Sequence, residues 1–429
     1  MKIENHIKKI ASSEFFKYSA ALLSSNAVAQ VIGFIIYPVI TRIYSKETFG
    51  EFNLFFSIAG ILTLFATGRY NLAIILPESE KKALALFQLS MLLTLGFSLL
   101  LCIPAFWGKN LFADLFNRKE LSTLLPLLPL FVLISGSWNV MNYYFTRQKK
   151  YYNISIYNIS QSVVNAISKC LLGLKGFVHF GLIWGTFFGQ FSALVIAFFK
   201  SDFPLHKVLR INKAEIKEVA KTYSNFPKYE LPNESLIAIA GNLPVLLLSV
   251  YFDMAEIGLY ALALAVASNP VYIFANSMYQ VLFERFSGKV RTGEKIKREL
   301  VRFCKVCFIA ILPFFILFMF ISEWVFGLLF GAEWCRAGLY FKYMLPWQFM
   351  VILTLSLCCI PDVFFKQKAA MKIELIHITV RIISLSAGIY FNNFQLAIAL
   401  YCTVSVIISG IKLVWYFNLV KQYDNNKTD

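Results

Sequence analysis

The sequence predicts an all-α polytopic membrane protein with 12 transmembrane helices, built as two parallel-related six-helix halves around a central cavity. Three observations predict it. Hydrophobic residues make up 58% of the 429 and charged residues only 15%, against about a quarter charged in soluble domains. The apolar residues gather into twelve runs near the length of about 20 residues that a helix needs to cross the hydrocarbon. Short sequence patterns also recur, in the same order, in the two halves.

The runs fall at 18–41, 50–76, 84–107, 121–145, 154–177 and 180–200, then at 232–251, 257–283, 300–321, 338–360, 371–391 and 394–417. The expected layout is a cytoplasmic N-terminal segment 1–17, a first half 18–200, a basic linker 201–231, a second half 232–417 and a cytoplasmic tail 418–429. Residues 1–17 are polar and basic, and no small-residue cleavage site follows, so the first run reads as an uncleaved helix. Most of the 41 Lys and Arg residues fall on the N-terminal side of alternate connections. By the positive-inside rule both termini are then cytoplasmic. The same bias accounts for the net charge of +17, so nucleic acid is not an expected partner; membrane lipids are. Within the linker, INKAEIKEVAKTY separates apolar from basic residues at helical spacing and is expected to lie on the cytoplasmic face of the bilayer.

Duplication shows in three matches. IYSKETFGEFNLFFSIAG from Ile43 lies over YFDMAEIGLYALALAVAS from Tyr251, pairing Gly50 with Gly258 and Phe52 with Tyr260. LFADLF from Leu111 matches VFGLLF from Val325, and Pro129 matches Pro346. FTRQK from Phe145 matches FFKQK from Phe364. Six helices is an even number, so both halves start on the same side and are related by an axis along the membrane normal.

Enzyme chemistry has little to stand on. There is no G-x-x-x-x-G-K and no D-x-D. The four histidines are scattered, and Cys304-x-x-Cys307 lacks a second ligand pair. Neither a cofactor nor a metal is expected.

Three segments carry a family resemblance: SSNAVAQ (Ser24–Gln30), TRIYSKETFGEFNLFFSIAGIL from Thr41, and GRYNLAIILPESEKKA from Gly68. They resemble the small-residue N-x-x-x-Q opening, the G-x-[FY]-N loop and the R-Y-x-x-A-I-x-L-P segment of the polysaccharide-export flippases of the multidrug/oligosaccharidyl-lipid/polysaccharide (MOP) superfamily. The resemblance implies translocation of an undecaprenyl-pyrophosphate-linked oligosaccharide repeat unit from the cytoplasmic to the periplasmic leaflet of a bacterial inner membrane. It also implies a lipid-linked oligosaccharide as substrate, with a glycan polymerase and a chain-length regulator as partners. Two rivals stay open: an ion-coupled multidrug exporter of the same superfamily, and a lipid-linked peptidoglycan-precursor flippase.

A pyrophosphate crossing the hydrocarbon needs fixed cations, and a glycan needs hydrogen-bonding groups. Arg381 and Lys169 fall near mid-span, and Arg69 nearer the cytoplasmic side of the second run; all three are candidate substrate-binding residues, the structural alternatives being an internal ion pair or snorkelling. Asn26, Gln30 and Asn165 are the amides assigned to the same path, out of a larger set that includes Asn71, Gln161, Gln190 and Asn242. Glu234 is the candidate ion-coupling carboxylate; favourable placement in a first helical turn is its structural alternative. Lys412 reads as a snorkelling anchor. Glu374 and His377 are expected to pair with Lys366, Lys368 and Lys372.

Overall fold

The computed structural model describes residues 14–108, 121–200 and 212–425 and, in the first helix, the side chains of Ser25 and of Val28 onward. Twelve long helices and no strand occur among the described residues. They are α1 (Glu14–Ile43), α2 (Lys46–Ala66), α3 (Glu80–Phe106), α4 (Leu128–Arg147), α5 (Tyr151–Leu174) and α6 (Gly181–Lys200). Then come α7 (Leu231–Tyr251), α8 (Met254–Thr292), α9 (Lys297–Phe330, interrupted at Ile311), α10 (Cys335–Ser356), α11 (Gln367–Tyr390) and α12 (Phe394–Asn425). Ten of them are long and apolar enough to cross a membrane. The remaining two are α1, whose described apolar part is Val28–Ile43, and α5, which carries Asn158, Gln161, Asn165 and Lys169. A helix that polar has to turn its wet face to other helices rather than to lipid. It does so, packing on α1 and most closely on α6.

The chain forms two compact units, Met1–Val250 and Tyr251–Asp429. The first contains α1 to α7. It is organised by α5 against α6 and α1, and by α4 against α3 and α2. The second contains α8 to α12, with α10 packed on α8, α9 and α12, and α11 on α12. Only 17% of the apolar window of α9 is buried, which leaves most of that helix to lipid.

Local chemistry sets the ends. Ser45 caps α2, its Oγ accepting from Thr48 N at 3.4 Å. Asp253 holds the N-cap position of α8. These two caps are paired by the Ile43/Tyr251 sequence match, so that alignment holds in three dimensions. The α5–α6 and α11–α12 hairpins repeat more closely still. Lys149 and Phe365 are the left-handed residues before α5 and α11, and Gly176 and Asn392 those after them. Both helices end in the same hydrogen-bonded turn: Gly176 N to Gly173 O and Phe177 N to Leu172 O in one, Asn392 N to Ile389 O and Asn393 N to Gly388 O in the other. Gly and Asn are the residues that reach this conformation at least cost. The structural register sets Phe145 opposite Pro361, not opposite Phe364 as the FTRQK/FFKQK match proposed, because the turn geometry governs pairing where the letters recur by chance. The LFADLF match lies outside the described residues.

Two expectations are corrected. The second run was expected to remain helical through Leu76; α2 stops at Ala66 because Gly68 (φ 55°) and Arg69 (φ 59°) both adopt left-handed backbone, which no right-handed helix can continue. A single turn, Tyr70–Ala73, follows the break. The amphipathic linker helix Lys213–Thr222 is docked on its unit as well as being surface-facing: Val219 is buried, Tyr70 Oη donates to the Ala220 carbonyl at 2.9 Å, and Lys82 pairs with Glu218 at 2.8 Å. Its apolar stripe therefore spends itself on protein. A π-turn at Phe226–Glu230 then leads into α7, so Glu234 lies about two turns inside a continuous helical stretch that begins at Phe226.

Candidate functional site

In the first unit, the break after α2 presents Arg69. Thr67 Oγ1 donates to Asn71 Oδ1 at 2.9 Å and accepts from Arg69 N at 3.3 Å, which locks the turn. The left-handed conformation of a non-glycine residue costs about 1 kcal/mol, and it points the guanidinium at α7. Arg69 Nη2 lies 3.7 Å from Glu230 Oε1 and 3.6 Å from Glu234 Oε2. Neither approach is a hydrogen bond, and Arg69 Nε is buried without a partner. The side chain is 16% exposed, so this is a guanidinium with counter-charges and uncommitted donors.

Arg147 makes the contrast. Its Nη1 donates to the carbonyls of Ile74 (3.3 Å), Ile75 (3.2 Å) and Pro77, its Nη2 to that of Glu78 (3.3 Å), and its Nε to Glu80 Oε2 (3.4 Å). Every nitrogen is spent on holding the chain between the α2 break and α3. Arg147 thus ties the FTRQK segment to the GRYNLAIILPESEKKA segment, a relation no sequence spacing could disclose. A cavity of about 470 Å³ is lined by Ile75, Glu80, Thr146, Arg147, Gln148, Lys149 and Tyr151.

The α5–α6 hairpin of the first unit carries Lys169 and Asn165. Lys169 Nζ sits 4.5 Å from the centroid of the Phe52 ring, a cation–π contact, and no carboxylate pairs with it among the described residues. Phe52 belongs to the GEFN segment, so that motif supplies a site residue not singled out from sequence. Asn165 is half-buried, and its Oδ1 is buried without a partner. What draws the helices together is glycine. A Cβ on Gly185 would meet Lys169 N at 2.9 Å, and one on Gly189 would meet Asn165 Cα and Gln161 O, each at 3.0 Å. Gly181, Gly185 and Gly189 form a small-xxx-small face, a spacing legible in the sequence.

In the second unit Arg381 is 9% exposed on α11. Its Nε donates to Ser405 Oγ on α12 at 2.9 Å. The Trp347 and Tyr401 rings lie 5.2 and 4.9 Å from its Cζ. No carboxylate pairs with it among the described residues, and neither Nη makes a hydrogen bond there. Lys412, expected to snorkel, instead pairs with Glu374, which also lies 3.5 Å from His377. Glu374 is therefore engaged by α12 and not by the lysines at the start of α11, because the second helix of the hairpin brings its cation across at the same depth.

Among the other amides, Asn71 and Gln190 are taken up structurally, the latter accepting from Ser135 Oγ at 2.8 Å, and Asn242 donates to the Ala238 carbonyl at 2.9 Å. Gln30 is exposed on α1. The Asn26 side chain lies outside the described residues. The structure brings Arg69 and Glu234 together, and Lys169 and Asn165 onto one hairpin; Arg381 belongs to the second unit.

Ten helices long and apolar enough to cross a membrane, with Arg381 and Lys169 held among them without a carboxylate partner among the described residues, define a multi-pass membrane protein. A family model described as polysaccharide biosynthesis protein matches residues 39–338, and the chain belongs to that family. It is 20% identical over 310 residues to the succinoglycan biosynthesis transport protein ExoT of Rhizobium meliloti (strain 1021), a match covering 71% of this chain and 60% of that relative, less than two thirds of its length. Two solved structures share the fold over nearly their whole length. One is a multidrug resistance MATE family transporter of the MOP superfamily, inward-facing (12% identity, TM-score 0.67, 94% of this chain and 96% of that one). The other is the lipid II flippase MurJ, inward closed (14%, TM-score 0.68, 96% and 91%). At such identities the likeness is one of fold. Each of these relatives is named as a transport protein, a transporter or a flippase.

Proposed function

We propose that this protein is a flippase of the bacterial inner membrane, moving an undecaprenyl-pyrophosphate-linked oligosaccharide repeat unit of an O-antigen, capsule or exopolysaccharide from the cytoplasmic to the periplasmic leaflet by alternating access. Both termini lie in the cytoplasm, and the glycan polymerase and chain-length regulator act downstream.

The observation that carries this reading is Arg381: a buried guanidinium with two free amino groups, flanked by aromatic rings and unpaired with any carboxylate among the described residues. Burying a charge is costly unless something compensates it. A phosphate, bound bidentately by the planar fork, would supply that compensation during transport. Lys169 and Arg69 are the corresponding candidate phosphate-binding cations of the first unit. Asn26, Gln30 and Asn165 offer amide donors and acceptors to sugar hydroxyls, while the buried Trp347 and Tyr401 rings hold the Arg381 guanidinium in place. Glu234 is the coupling carboxylate of this scheme; any ion arriving there competes with Arg69. The sign of the unpaired charge favours an anionic cargo over the cationic amphiphiles of a drug exporter.

The test is complementation of a strain lacking the protein. Arg381→Ala and Lys169→Ala are expected to abolish surface glycan while the protein is still inserted at normal amounts. Wild-type glycan in both would sink the cationic-path reading. Labelling of a Lys217→Cys variant from outside intact cells would overturn the orientation.

A further inference from the structure

Arg69 does not face an empty path. Two carboxylates, Glu230 of the π-turn and Glu234 of α7, stand at its guanidinium, 3.7 and 3.6 Å away, and neither makes a hydrogen bond to it. Both carboxylates are more exposed, at 42% and 34%, than the guanidinium between them, at 16%. The strained backbone at Arg69 (φ 59°) and the Thr67–Asn71 bond hold this arginine in place independently of the two glutamates. Thus the donors are fixed, the acceptors are loosely held, and the acceptors sit on a different element.

That element has a joint. Glu230 ends the Phe226–Glu230 π-turn and Glu234 lies one turn further on; π-turns inside helices are frequent at functional sites. Upstream, the linker helix is anchored separately by the Tyr70–Ala220 hydrogen bond and the Lys82–Glu218 pair. Loss of the Arg69 contacts would release the Glu230–Glu234 turn at the inner end of α7, while Phe226, packed on the buried cluster, and the linker helix stay docked.

We propose that Glu230 and Glu234 occupy, at rest, the place on Arg69 that a substrate phosphate takes on loading, so that phosphate binding and release of the inner end of α7 are one exchange. The proposal rests on the reading of Arg69 as a phosphate-binding group. A diphosphate offers oxygens in the bidentate geometry a guanidinium prefers, which two monodentate carboxylates beyond hydrogen-bond distance do not. Ligand and α7 then exclude one another at a shared donor, and the coupling is reciprocal.

The experiment uses the full chain in nanodiscs, with undecaprenyl pyrophosphate as the probe and inorganic pyrophosphate as a second arm. Glu230→Gln/Glu234→Gln is expected to bind undecaprenyl pyrophosphate about tenfold more tightly than the unaltered protein, because the internal competitor is gone. Arg69→Gln is expected to lose that gain in the triple variant. Spin labels at Lys217 and Ile237 should report a distance that broadens when the probe is added to unaltered protein, and that is already broad in Glu230→Gln/Glu234→Gln without it. Binding of inorganic pyrophosphate with the same gain identifies the phosphates alone as the recognised group; a gain confined to the lipid adds the chain to it. Size-exclusion profiles, with the single variants Glu230→Gln and Glu234→Gln, guard against misfolding. Equal affinity in the unaltered and double-variant proteins overturns the exchange while leaving the flippase reading intact. Failure of the unaltered protein to bind undecaprenyl pyrophosphate overturns both.

Discussion

Arg381 and Ser405 are joined by a 2.9 Å hydrogen bond across the α11–α12 hairpin, and they stand where Asn165 and Gly189 stand in the α5–α6 hairpin. The correspondence follows from the shared turns. Gly181 N bonds to Phe177 O before α6 as Ala397 N bonds to Asn393 O before α12, and the register runs on unbroken from there. One duplicated hairpin has thus been furnished in two ways. The first copy has an amide against glycine; the second has a guanidinium against a hydroxyl that receives it.

This pairing makes Arg381 sensitive to shape as well as charge. Arg381→Lys keeps the charge but loses the fork, the bond from Nε and the stacking between Trp347 and Tyr401. Surface glycan in Arg381→Lys is expected to fall at least tenfold, about 1.4 kcal/mol or more in transport, and to stay close to that of Arg381→Ala. Glycan measured by gel, normalised to membrane protein, checks it; recovery in the lysine variant would show that charge alone suffices.

Arg147 should behave in the opposite manner. Its donors are committed to four carbonyls and Glu80, so Arg147→Ala is expected to destabilise the first unit by roughly 2–3 kcal/mol. Thermal unfolding in detergent should drop by several degrees, and glycan should fall only in proportion to the folded protein remaining. Normal stability with no glycan would instead move Arg147 into the transport path.

Asp424, near the end of α12, is 6% exposed and accepts from Ile296 N at 3.1 Å and Lys297 N at 2.9 Å. It caps the start of α9 from a remote part of the chain. Asp424→Ala should cost about 1–2 kcal/mol, the scale of a lost N-cap, and Asp424→Asn, which keeps one of the two acceptor oxygens, should recover only part of it. Limited proteolysis at the α8–α9 connection gives the readout.

Ion coupling through Glu234 makes a separate prediction. Collapse of the proton gradient should slow transport in proteoliposomes of the unaltered protein and leave the rate of Glu234→Gln unchanged. An equal response to the gradient in both proteins removes Glu234 from coupling and leaves it as the counter-ion of Arg69.

Sequence alone determined the solvent, the helix count and the duplication, since each depends on composition and spacing along one dimension. A span needs only enough consecutive apolar residues, and the Gly50/Gly258 match survives because each is the fifth residue of a helix whose N-cap position the match also pairs. The candidate cations were legible for the same reason: an Arg or Lys within an apolar run is conspicuous wherever it points. What tertiary structure alone decided is which of them are free. Arg147 and Arg381 are the same residue type near or within apolar runs, yet one is consumed by backbone carbonyls brought from the α2–α3 connection and the other meets rings and a hydroxyl. Lys412 reads in sequence as an anchor, and α11 places Glu374 beside it. The break at Gly68–Arg69 was equally hidden, because its two left-handed residues lie in a stretch whose hydropathy reads as unbroken helix. Hydropathy records the solvent a residue faces; the partner of a charge is a property of the fold.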